Sequence, residues 1–181
     1  GISSIFGPYL SGDGGSYLLA CGTSLQAGTV YWTNPNDPCS TSLRNQLEVT
    51  SPEEPLVAGC IYDGQAFVFS TKRMFRIFAT GSADLPFYAQ EVANSKGVIS
   101  PNCLVVGQVI YFVGSDGLYA STGGQPYAIS DKDMYPIFPH DSQAGTLTND
   151  IYPMDYSSTL LLNRANLCYH NDFLYFDFIT T

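Results

Sequence analysis

The strongest constraint on the fold is the stretch from Gly97 to Ser130, GVISPNCLVVGQVIYFVGSDGLYASTGGQPYAIS. Short apolar runs rich in Val, Ile, Tyr and Phe alternate there with Gly-centred breaks, the pattern of successive strands and turns. It predicts strands at Cys103–Val106, Val109–Val113, Leu118–Ser121 and Tyr127–Ile129. Asp116-Gly117 predicts a hairpin turn with positive φ, which Gly supplies without strain. Val109, Tyr111 and Val113 point one way, and Ile110 and Phe112 the other. Both faces are therefore apolar, and a small antiparallel sheet of this kind must be covered on both sides. That is the situation of a β-propeller blade packed between its neighbours.

The unit recurs. CIYDGQAFVF around Cys60, CLVVGQVIYF around Cys103 and CYHNDFLYF around Cys168 share a Cys, three residues, a turn former and an aromatic-rich strand. A looser copy, CGTSLQAGTVYW, surrounds Cys21. The spacings are 39 from Cys21 to Cys60, 43 to Cys103 and 65 to Cys168. The first two match a four-stranded blade of roughly 40–50 residues, and the third is one blade plus an insertion of about twenty. Ser130–Asp150, polar and acidic, is the candidate insertion. The repeated cysteines are expected at one depth in each blade, as small residues of a packed layer. A shared metal is the rival reading, but His140 and His170 do not fall at ligand spacing. Five Cys with no CxxC predict free thiols made in a reducing compartment.

Elsewhere, Gly1–Pro8 is expected as a frayed lead-in, followed by a tight turn over Ser11–Gly15 into a strand at Tyr17–Cys21. The turn nearly matches the S-x-D-x-G-x-x-W box of sialidase-type propellers, with Tyr17 one position early; that box is structural. A Pro/Asn-rich loop spans Trp32–Pro38, and Ser40–Leu47 predicts one helical turn. Further strands are expected at Pro55–Tyr62, Gln65–Ser70, Met74–Ala79 and Phe87–Ala93, then Thr159–Leu162 and Cys168–Ile179 in a last, incomplete unit. The expected fold is thus all-β and propeller-type, with about four blade-like antiparallel sheets in one domain over residues 1–181.

Composition narrows the classes of function. Three Lys and four Glu in 181 residues argue against exposed helices, which normally use both. A net charge of −9 argues against a nucleic-acid or anionic-membrane binder, either of which needs a cationic face. No run of eighteen apolar residues offers a membrane-spanning helix. The start at Gly1, without a basic n-region, suggests a processed chain or a piece of a longer one.

The residues offer little chemistry. No GxSxG, HExxH, Walker loop or GxGxxG occurs. A carboxylate pair for glycoside hydrolysis is conceivable among twelve Asp and four Glu. Most of the Asp, however, adjoin Gly, Pro, Asn or Ser, where they bond turn backbone. Glu53-Glu54 reads as a solvated loop. Asp131 and Asp133 either share a Ca²⁺ or lie in solvent. Lys72, Arg73 and Arg76 either meet a phosphate or an acidic partner, or blunt an edge strand. No catalytic, cofactor-binding or metal-ligating residue is nominated, and no cofactor is expected.

The order VYWTNPNDP, NQLEV, EEPLVAGCIYDGQAFVFSTKRMFRI, then Gly97–Pro101, Tyr111–Tyr119 and Pro126–Asp131, resembles the β-propeller virion proteins of tailed bacteriophages. These occupy tail-tube, nozzle and connector-completion positions. The resemblance covers about Val30 to Asp133 well and Asn163 to Phe178 loosely. It implies a non-enzymatic structural protein located in the virion and assembled in the host cytoplasm. Its partners would be other virion proteins and copies of itself in a homo-oligomeric ring, with DNA passing nearby unbound and no membrane. Two other classes stay open: a propeller module binding a host glycan or a partner protein, and a propeller hydrolase.

Overall fold

The structure is a computed structural model that describes residues 2–11, 14–82, 85–130, 138 and 164–178. It is all-β, with four antiparallel sheets; the one helical element among the described residues is a 3-10 turn, Pro101–Cys103. The first sheet runs in sequence order through β1 (Ser4–Leu10), β2 (Ser16–Cys21), β3 (Thr29–Trp32) and β4 (Gln46–Glu48). The second does the same through β5 (Leu56–Tyr62), β6 (Gln65–Ser70), β7 (Met74–Ala79) and β8 (Phe87–Glu91). The third comprises β9 (Leu104–Val106), β10 (Ile110–Val113), β11 (Leu118–Ser121) and β12 (Tyr127–Ala128). The fourth is a hairpin of β13 (Asn166–His170) and β14 (Phe173–Asp177).

The sheets pack face on face because their strands alternate. In β6, Ala66 and Val68 enter one core with Phe6, Leu19, Val30 and Trp32 of the first sheet. Phe67 and Phe69 enter the other with Ile110 and Phe112 of the third. Every one of these side chains is at least nine-tenths buried. The Phe69 and Phe112 rings meet at 5.0 Å, and Tyr111, on the opposite face of β10, stacks on Tyr169 of the hairpin at 5.5 Å. The second and third sheets are thus covered on both faces, as their two-sided apolar pattern requires. The first strands of successive sheets lie side by side, β1 on β5, β5 on β9 and β9 on β13.

Several expectations are corrected. Gly1–Pro8 is not a frayed lead-in, since Ser4–Leu10 pairs with β2 across an irregularity between Phe6 and Tyr9. Ser40–Leu47 forms no helical turn: Leu43 is 96% exposed, with no core to pack against, and Gln46 begins a strand. Cys103 belongs to the 3-10 turn, one residue before β9. Positive φ occurs at Asp63-Gly64 (47° and 69°), where two residues join β5 to β6, and not at Asp116-Gly117. There Val113 pairs with Leu118, and the four-residue connection relaxes the demand.

The cysteine repeat holds only in part. Cys60 opposes Phe67 and Cys168 opposes Tyr175 at matching places in two-residue hairpins, whereas the third-sheet hairpin has a longer loop that shifts the register. Cys60 and Cys103 are buried and Cys168 is exposed, so the three do not share one depth. The last hairpin uses 166–170 and 173–177; Thr159–Leu162 and nearly all of the Ser130–Asp150 insertion lie outside the described residues.

Candidate functional site

Among the described residues, three polar clusters tie turns of neighbouring strands or sheets together. One centres on Arg73, at the end of the β6–β7 turn. Its Nε donates to Glu54 Oε1 at 3.0 Å, its Nη2 to Glu54 Oε2 at 2.5 Å and its Nη1 to Glu91 Oε2 at 3.0 Å. Ser70 Oγ also donates to Glu54. The Arg73 hydrogen bonds hold the Glu54 carboxyl below the usual carboxylate range. Glu54 is therefore no solvated loop residue; its side chain is only 13% exposed and ties the start of β5 to the β6–β7 turn.

A second cluster braces the β10–β11 turn. Lys96 Nζ donates to Asp116 Oδ2 at 2.6 Å, and Tyr119 Oη donates to Asp116 Oδ1 at 2.8 Å. Burial by itself would push the Asp116 carboxyl up, but Lys96 and Tyr119 together hold it down. A general acid working near neutral pH needs the opposite shift, so neither Glu54 nor Asp116 is tuned for that role.

The three hairpin tips recognised as a repeat meet on one rim. Tyr62 Oη donates to the Gln108 carbonyl at 3.1 Å, Gln108 Nε2 donates to Asp172 Oδ1 at 3.0 Å, and Tyr169 Oη donates to the same oxygen at 2.7 Å. Each tip thus holds the next, a relation that no single motif discloses.

The basic cluster is dispersed. Lys72 is exposed, Arg73 is neutralised, and Arg76 sits on β7 with its guanidinium 4.5 Å from the Phe78 ring centroid. β7 pairs with both β6 and β8, so these charges do not blunt a sheet edge. Arg76 lines a cleft of about 160 Å³ between the second and third sheets, with Phe78, Gln90, Glu91, Val92 and Gly123. A cleft of similar size beside Tyr17, Thr80 and Phe87 has Tyr17 as the one titratable group among its described lining residues.

Asp131, Asp133 and His140 lie outside the described residues, and His170 is exposed on β13. Among the described residues, no three His, Cys, Asp or Glu side chains converge as metal ligands. No protein family and no curated protein matches the chain.

Proposed function

We propose that the chain is a propeller element of a tailed-phage virion, in the tail or the head-to-tail connector, working by assembly and not by catalysis. The observation that carries this reading is the manner in which the sheets are joined. Three antiparallel meanders and a hairpin pack in succession with their first strands adjacent, which supports reading them as blades about an axis. The ordered motifs from Val30 to Asp133 supply the virion context.

The charge fits a place near a DNA path. A basic lining would hold phosphates through counterion release, whereas a chain of net charge −9 lets a duplex slide by. Copies would associate around the particle axis through interfaces of about 1,200–2,000 Å² each. The apolar side chains left exposed on the outer faces suit such contacts: Ile5 and Leu10 on the first sheet, Phe173 and Tyr175 on the hairpin.

A second reading, a propeller module that binds a host glycan or a partner protein, draws on those same exposed aromatics. The two part in purified phage particles. Mass spectrometry of particles freed of soluble protein should find peptides of this chain in fixed stoichiometry. Their absence overturns the virion reading, and turnover of a glycan by the isolated protein overturns the non-catalytic one.

A further inference from the structure

Among the half-buried cations of the second and third sheets, Arg76 is the odd one. Arg73 meets two carboxylates and Lys96 meets one. Among the described residues Arg76 has no ion-pair or hydrogen-bond partner, and its Nε is buried without an acceptor. The Nε itself is closed to solvent, but the side chain is half-buried and lines the cleft, so its outer N–H groups are placed to meet an acceptor from outside the chain. The surroundings hold it ready. The guanidinium carbon sits 4.5 Å from the centroid of Phe78, whose ring is stacked in turn on Tyr88 at 5.0 Å and 13°. This column supports the guanidinium from one side.

The cleft is also chemically graded. Gln90 pairs with Arg76 across β7 and β8 and adds an amide beside the guanidinium. The β11–β12 turn borders the cleft at Gly123, whose φ of +93° favours glycine. Glu91 lines one side with Oε2 bound to Arg73. A single cation beside a carboxylate suits a monoanion better than a phosphate dianion, which Glu91 would repel. The planar fork also matches the two coplanar oxygens of a carboxylate.

We propose that the cleft between the second and third sheets is a carboxylate-binding site, with Arg76 as its anchor and a small organic acid as its ligand. The cleft, at about 160 Å³, admits a group the size of a sugar acid or an acidic side chain. The proposal stands apart from the virion reading, since a free chain would bind equally well.

The test follows the arginine Nε–H signals of the ¹⁵N-labelled full chain by NMR, with the Arg76 signal assigned by its loss in Arg76→Gln. Sodium glucuronate and the α-amide of N-acetylglutamate represent the two sources of carboxylate, methyl glucoside is the neutral control, and inorganic phosphate is the rival anion. The Arg76 signal should move saturably in the millimolar range with at least one carboxylate, and the tighter of the two names the source. Backbone amides around Gly123 and Gln90 should move with it, while the Arg73 signal stays fixed. Arg76→Gln should weaken binding about tenfold or more, the worth of a charge-assisted hydrogen bond. Arg76→Lys, which keeps the charge and loses the fork, guards against a folding artefact and should bind with intermediate affinity. Equal shifts with methyl glucoside, tighter binding of phosphate, unchanged binding by Arg76→Gln, or no shift with either acid would each overturn the proposal.

Discussion

Replacing Gly59 by Ala tests whether the first and second sheets pack as described. Gly59 lies within β5, opposite Val68, and its N–H donates to Ser4 Oγ of β1 at 3.2 Å. An added Cβ would fall 2.2 Å from Phe6 Cε1 and 2.4 Å from Cζ, where carbon atoms rest at about 3.5–4.0 Å. The Phe6 ring, itself only 9% exposed, would have to move by more than an ångström within a packed core. Two effects then compete. Ala in place of Gly restricts the unfolded chain and favours folding by about 0.4–1 kcal/mol. Overpacking of a full core costs about 1–3 kcal/mol. The clash wins, and Gly59→Ala should destabilise by about 1–2 kcal/mol, read as a lower urea midpoint with unchanged slope. Phe6→Ala alone should cost about 3–5 kcal/mol as a buried aromatic truncation. In the double variant the ring is gone, so the clash disappears and the combined loss should fall short of the sum. A neutral or stabilising Gly59→Ala, or strict additivity with Phe6→Ala, would show that β1 does not press on β5 as described.

The thiols should divide by burial. Cys21, Cys60 and Cys103 are pushed up to about 12 by burial, while Cys39 and Cys168 are exposed. A thiol reagent should titrate two groups in the native protein and three more only in denaturant; a total below five would reveal a disulfide. Glu54 should govern part of the acid sensitivity. Its folded carboxyl lies below its unfolded value, so its contribution is complete above about pH 4.3 and fades as pH falls through the folded value. Glu54→Gln should therefore flatten the acid limb of urea midpoint against pH, and an unchanged limb would refute the role assigned to Arg73.

The regular parts of the fold were legible because local pattern and tertiary environment agree there. Gln65–Ser70, Met74–Ala79 and Leu118–Ser121 coincide with their expected bounds. Their two apolar faces demanded two neighbouring sheets, and both neighbours are present. β1 was missed because its seven residues, SIFGPYL, carry Gly-Pro at the centre. The Gly7-Pro8 pair falls at the ladder irregularity, and Ser4–Phe6 and Tyr9–Leu10 are held on either side by β2, a partner that no local window contains. The Ser40–Leu47 expectation erred the other way. Leu43 and Leu47 have the spacing of a helical stripe, but a stripe stabilises a helix only when something covers it, and Leu43 is bare.

Charge was less legible than pattern, because what an ionic group does depends on partners far away in the chain. Lys72, Arg73 and Arg76 look equivalent in sequence. The fold gives Arg73 two carboxylates, from residues nineteen positions before it and eighteen after, and leaves Lys72 in solvent. Arg76 meets no described carboxylate: β7 is an inner strand of the second sheet, and Arg76 lines a cleft whose far segment contributes Gly123 of the β11–β12 turn. The unpaired cation is thus a product of two segments separated by nearly fifty residues, and neither segment betrays it alone.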